Sequence, residues 1–216
     1  MNPVQSRTLA QLRRDLGMIP EERIVLAPAP GTATEADIEV LRKRGRLCEL
    51  IDGVLVEKAM GWKESLLALL IGQYINNYLD HHPLGIVLGE DGFMRLVPGL
   101  VRAADVSFIS WERVPSEDEP AKGIPDFAPD LAVEVISKGN TKKEIERKLR
   151  EYFQCGTRLA WVIYPKTRSA VVYTAPDQAR RLRPTQLLEG GDVLPGFALP
   201  LSQLFNARRR PGKQTE

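Results

Sequence analysis

The sequence predicts an α+β, or mixed α/β, domain: one mixed central sheet flanked by helices, with an N-terminal helix and a β-hairpin. Three observations carry this. Leu131–Ile136 and Leu159–Tyr164 are apolar runs separated by a charged amphipathic segment, the order of a βαβ unit with parallel strands. Asp52-Gly53 lies between the apolar runs 47–51 and 54–58, which predicts an antiparallel hairpin through a type I′ turn. Leu66, Leu67, Leu70, Ile71, Tyr74, Ile75, Tyr78 and Leu79 recur at helical spacing within Lys63–Leu79.

In chain order, Thr8 to Leu16 reads as a short helix stopped by Gly17, and the prolines at 28 and 30 block its continuation. Thr34 can cap a second helix, with Asp37 at the capping-box position and Gly45 as its end. The hairpin and the long helix follow, the latter ended by His81-His82-Pro83. Ile86–Leu88, Gly92–Leu96 and Ala104–Ile109 read as strands divided by Gly and Pro. Residues 112–128 read as an exposed loop. Asn140–Phe153 is a charged helix with Ile145, Leu149, Tyr152 and Phe153 on one stripe, and Gly156 stops it. Ala170–Thr174 is a further strand; residues 187–204, rich in Gly and Pro, are expected to dock irregularly. The organisation expected is an N-terminal extension over 1–30, one domain over 31–205 and a flexible basic tail over 206–216.

The 216 residues are enough for a core without disulfide staples, and 43% hydrophobic with 27% charged is a globular composition. Thirty Lys and Arg against 28 Asp and Glu leave +2, so charge alone neither selects nor excludes nucleic acid. Cys48 and Cys155 fit no metal spacing; two cytoplasmic thiols are favoured over a single disulfide. His81 and His82 are too few for a histidine-based zinc site. The first 20 residues lack the apolar core of a signal peptide, and no uncharged run approaches the roughly 20 residues of a membrane span. A soluble cytoplasmic protein is expected.

Glu134 stands inside an otherwise apolar strand, where a carboxylate suffers desolvation unless cations or donors face it. It is either ion-paired across the sheet or a metal ligand at the sheet end. Asp105 opens the strand Asp105–Ile109, as a turn cap or as a second oxygen ligand for a hard divalent cation. Lys148 falls beside the buried stripe of the charged helix, either snorkelling or reaching the sheet to stabilise a phosphoryl transition state.

Four stretches in order then resemble the restriction-endonuclease family Uma-two, a domain formerly of unknown function within the PD-(D/E)XK nuclease superfamily. They are Cys48-Glu49-Leu50-Ile51-Asp52-Gly53-Val54-Leu55-Val56-Glu57, Arg102-Ala103-Ala104-Asp105-Val106, Pro129-Asp130-Leu131-Ala132-Val133-Glu134-Val135-Ile136-Ser137, and Lys148 to Ile163. The resemblance implies a restriction-endonuclease-like core and a Mg²⁺- or Mn²⁺-dependent DNA endonuclease. Asp105, Glu134 and Lys148 would be catalytic, and Asp105 and Glu134 would bind the ion. Glu49 would complete the metal site or form a hairpin charge pair; Glu57 is a weaker candidate. The superfamily's lysine position, two after the glutamate, is Ile136, and the resemblance moves that role to Lys148. Ala104 stands where a proline is usual, and Gly61-Trp62-Lys63-Glu64 replaces a segment that often holds a histidine. A catalytically inactive nuclease-fold module, binding nucleic acid or protein, is therefore the alternative.

Lys138, Lys142 and Lys143 are the expected DNA contacts, since phosphate attraction dominates such affinity; Arg147 lies beside them. Further basic clusters lie at 42–46, 180–183 and 208–210. Lys142 and Glu146 are also spaced for i, i+4 pairing. A homodimer would set one site on each strand of a duplex. No nucleophile elbow, P-loop or dinucleotide loop supports a small-molecule hydrolase of another fold.

Overall fold

The computed structural model describes residues 8–59, 61–114 and 123–207. The elements are α1 (Leu9–Asp15), a 3-10 turn (Glu21–Arg23), α2 (Glu35–Arg42), β1 (Cys48–Ile51), β2 (Val54–Glu57), α3 (Trp62–Leu79), β3 (Gly85–Leu88), β4 (Met94–Val97), β5 (Leu100–Arg102), β6 (Val106–Ser110), β7 (Leu131–Val135), α4 (Lys142–Gln154), β8 (Leu159–Tyr164), β9 (Ser169–Ala175), β10 (Gln178–Leu182), β11 (Leu187–Glu189), β12 (Ala198–Pro200) and α5 (Leu201–Asn206).

Asp52 and Gly53 both take positive φ, at 51° and 74°, so β1 and β2 pair through the expected turn. Thr141 caps α4: its hydroxyl accepts from the Glu144 amide, and the Glu144 carboxylate accepts from the Thr141 amide. At α2, the Asp37 carboxylate accepts from the Thr34 amide at 2.8 Å.

The strands divide between two larger sheets. A mixed sheet runs β10-β9-β8-β7-β6-β3, with β7 and β8 parallel across the α4 crossover. An antiparallel sheet runs β2-β1-β5-β4, so the hairpin belongs to a layer of its own rather than to a single mixed sheet. Ala103–Asp105 carry the chain from the smaller sheet into the larger. On the larger sheet, Leu131, Val133 and Val135 of β7 pack with α3 in the main core. By strand alternation Ala132 and Glu134 face the other side, where Ala132 meets Tyr152 of α4. Residues 12–24 pack into that second cluster through Leu12, Leu16, Ile19 and Ile24.

The stretch at 187–204 is not irregular. β11 and β12 pair with each other, and α5 buries Leu201 and Leu204. Three-residue strands are too short to show a period. β10 was also unreadable from pattern, because Gln178-Ala179-Arg180-Arg181 is exposed and polar. It is one of the two edge strands of its sheet, where charge opposes further pairing. Both cysteines are free. No helix among the described residues is long and apolar enough to cross a membrane. Of the exposed loop expected over 112–128, residues 115–122 lie outside the described residues, as do 208–216 of the basic tail.

Candidate active site

The candidate site lies where the two sheets and α4 meet. β6 and β7 pair Val106 with Val133 and Ser107 with Ala132; one further step of that register sets Asp105 opposite Glu134. Directly opposed residues in an antiparallel pair share a face of the sheet. Asp105 is fixed there from both sides: its amide donates to the Val133 carbonyl at 2.9 Å, and its Oδ2 accepts from the Val135 amide at 2.8 Å.

The smaller sheet supplies a second cross-strand pair. β1 and β5 pair Leu50 with Val101 and Ile51 with Leu100, so Glu49 falls opposite Arg102. The Arg102 guanidinium donates to Glu49 Oε2 at 2.8 Å and grips Glu151 Oε2 of α4 through Nε and Nη2 at 2.8 and 2.5 Å. Glu49 Oε1 accepts from the Ala103 amide at 3.2 Å.

Helix α4 joins the two pairs. Lys148 Nζ stands 3.1 and 3.0 Å from the two Glu134 oxygens and 3.1 Å from Glu49 Oε1. Tyr152, one turn on, donates its hydroxyl to Glu134 Oε1 at 2.9 Å. The i, i+4 spacing brings both side chains to one carboxylate. Lys148 is thus no snorkelling surface residue; it is 3% exposed, and Glu49, Asp105 and Glu134 are 0%, 5% and 4% exposed.

Lys58 is a group that sequence reasoning missed. Its ammonium donates to the carbonyls of Ala103 at 2.7 Å and Glu90 at 3.2 Å, and stands 3.2 Å from Asp105 Oδ1. The signal was the strand period: Val54 and Val56 face the core between the sheets, and Lys58 continues that face. Arg102 and Tyr152 were visible in the sequence as parts of a motif and a stripe, without a role. Glu57 faces elsewhere, 2.6 Å from Arg46.

Charge is unevenly shared. Glu134 meets one ammonium, Lys148, and shares it with Glu49; Glu49 also meets Arg102, and Glu151 is held by both Arg102 and Arg147. Burial pushes the Glu134 carboxyl up, and the negative charges of Asp105 and Glu49 add to this against the pull of Lys148. Burial would also push Glu49 up, but Lys148 and Arg102 overcome it and hold this carboxyl low. Lys148 is held protonated by Glu134 and Glu49 in spite of its burial.

Among the described residues no three His, Cys, Asp or Glu side chains converge as a ready metal cage. The donor set suits a hard cation of the Mg²⁺ kind, which takes one or two carboxylates and completes its shell with water and phosphate oxygens. Asp105 and Glu134 provide that opposed pair. Glu49 fits less well, because its oxygens already accept from a guanidinium, an amide and an ammonium.

The basic residues separate clearly. Lys138, Lys142 and Lys143 are exposed on the loop before α4 and on its first turn. Lys142 stands 3.5 Å from Glu146, while Lys138 and Lys143 have no ion pair among the described residues. Arg42, Arg46 and Arg180 are ion-paired. Arg147 is partly buried and bound to Glu151 and Asp52.

A crystal structure of a "putative nuclease belonging to DUF820" from Anabaena variabilis ATCC 29413 superposes with a TM-score of 0.66 at 20% identity. The match covers 75% of this chain and 91% of that one, and it establishes the shared fold. No curated protein matches the chain. The family model described as "Putative restriction endonuclease" matches residues 36–202, most of the chain and every carboxylate of the site just built; the chain belongs to this family, Uma2.

Proposed function

We propose that the protein is a divalent-metal-dependent endonuclease that hydrolyses phosphodiester bonds in DNA. The observation that carries this reading is the opposition of Asp105 and Glu134 across β6 and β7, with Lys148 at 3.0–3.1 Å from Glu134. Asp105 and Glu134 would hold Mg²⁺ or Mn²⁺, which when bound supplies an activated water and charge stabilisation at the leaving oxygen. Lys148 carries a fixed positive charge at the edge of that pair, where it can offset charge developing on the phosphoryl oxygens. Tyr152 holds Glu134 Oε1 in place, and Val135 holds Asp105 Oδ2, so both carboxylates keep one orientation. Glu49, the third candidate ligand, would act chiefly by holding Lys148 towards Glu134. Lys138, Lys142 and Lys143 supply positive charge for the phosphate backbone on the same side as α4's first turn. A homodimer would cut both strands of a duplex.

Nicking of supercoiled plasmid with Mg²⁺ or Mn²⁺ tests the reading. Cleavage by the natural chain should disappear with EDTA and fall at least about a hundredfold in Glu134→Ala. Cleavage that survives Glu134→Ala would place the chemistry elsewhere. Binding of DNA with no cleavage under any metal would favour the inactive nuclease-fold module, which Ala104 and the closely paired carboxylates support.

A further inference from the structure

Lys58 lies in the site without a role in the chemistry proposed above. It extends from the end of β2, and its side chain is 5% exposed. An ammonium has three donors. Two of them meet backbone carbonyls, Ala103 at 2.7 Å and Glu90 at 3.2 Å. The third direction faces Asp105 Oδ1 at 3.2 Å. The carbonyl contacts are anchors, because neither backbone segment needs to move when a ligand arrives. The Asp105 contact is the one that can be given up.

The two Asp105 oxygens have different partners. Oδ2 is committed to the Val135 amide, so Oδ1 is the atom open to a cation, and it is the atom that Lys58 faces. A carboxylate this deeply buried is costly without a counter-charge. Resting on the metal-dependent reading above, we infer that Lys58 is a resident cation that neutralises Asp105 when the site is empty and opposes the entry of a divalent ion at Oδ1. A metal at bonding distance from Oδ1 lies close to the ammonium, in a place where water screens poorly, so the two positive charges repel. The repulsion falls when an anionic phosphodiester oxygen joins the ion and faces Lys58. Lys58 thereby makes metal loading weak on the free protein and stronger with the substrate's phosphate present.

This predicts an effect of unusual sign: removing a buried, well-bonded residue should tighten ligand binding. The experiment is calorimetric titration of Mn²⁺ into the full chain without DNA. The set is the natural sequence, Lys58→Met, Lys58→Gln, Lys58→Arg and Asp105→Asn, with Lys142→Gln controlling for removal of an exposed positive charge. Loss of the like charge should raise Mn²⁺ affinity about tenfold in Lys58→Met and Lys58→Gln. Lys58→Arg should stay near the natural value, Lys142→Gln within about twofold, and Asp105→Asn should not bind. Lys58→Gln keeps a donor for the Ala103 carbonyl and decides the matter if Lys58→Met fails to fold by near-ultraviolet circular dichroism. Unchanged or weaker affinity in folded Lys58→Gln, with binding still lost in Asp105→Asn, overturns the role of Lys58 alone. Absence of Mn²⁺ binding in every variant, or binding that survives Asp105→Asn, overturns the metal reading and this inference with it.

Discussion

Asp130 and Glu134 lie four residues apart along β7 and its lead-in, and both are nearly sealed from water, at 1% and 4% exposed. Their surroundings are opposite. Asp130 accepts from the Ser110 amide at 2.8 Å and faces two guanidiniums, Arg113 at 2.8 Å and Arg158 at 3.0 Å. Its carbonyl also accepts from the amides of Arg158 and Leu159, so it ties the end of β6 to the starts of β7 and β8. Burial works against its charge, but the Ser110 hydrogen bonds and the two arginines hold its carboxyl below the usual range. Glu134 has one ammonium, which it shares with Glu49, and it looks across the strand at Asp105. Burial and those two carboxylates push it up. A carboxylate that serves the fold is surrounded by more positive charge than it needs. On the function proposed above, Glu134 is the carboxylate left short of positive charge, and that shortfall is the place a cation can fill.

The largest stability change should come from Asp130. Asp130→Ala leaves a cluster of donors and two arginines without their acceptor, at about 2–3 kcal/mol after allowing for the solvent exposure of the arginines. Urea unfolding should show it as a lower midpoint with an unchanged slope. A loss below about 0.5 kcal/mol would break the contrast, since that is the range of an ordinary surface change.

Glu134→Gln should move stability the other way. A carboxyl raised in the folded state binds more protons there than in the unfolded chain, so stability falls as pH rises from the ordinary carboxylate range towards neutrality. Glutamine removes that fall. The variant's thermal midpoint should exceed the natural one by a few degrees near neutral pH, about 1 kcal/mol for a chain of this length, and the gap should close in mild acid. A variant less stable than the natural chain at neutral pH would show that Lys148 compensates Glu134 fully. The smallest effect belongs to Tyr152→Phe, which removes one buried hydrogen bond to Glu134, worth about 1 kcal/mol or less. Equilibrium unfolding checks it, and a loss of several kcal/mol would make the hydroxyl part of the fold's foundation rather than a guide for one side chain.

Much of the fold was legible because its signals are local. The Asp52-Gly53 turn, the Thr34–Asp37 capping box and the 3.6-residue stripe of α3 each depend on residues a few positions apart. Glu134 was legible for a related reason: an acidic residue inside an apolar strand conflicts with its own neighbours. The separation of β1, β2, β4 and β5 into their own sheet was not legible, because it depends on β1 pairing with β5 across the 48 positions between Ile51 and Leu100. Lys58 was missed because its neighbours along the chain say nothing of Asp105, 47 residues away, and a lysine after a strand ordinarily faces water.

The sequence by itself determined helices α1 to α4, the β1–β2 hairpin and the β7–α4–β8 unit, the odd carboxylate at 134 and the basic first turn of α4, since propensity, capping and period act over short stretches of chain. Tertiary structure alone decided which charges meet. Register set Asp105 against Glu134 and Glu49 against Arg102, and one helical turn of α4 brought Lys148 and Tyr152 to the same carboxylate. Coulomb energy and desolvation depend on distance and on exclusion of water, and both are properties of the packed chain that no short stretch of sequence carries.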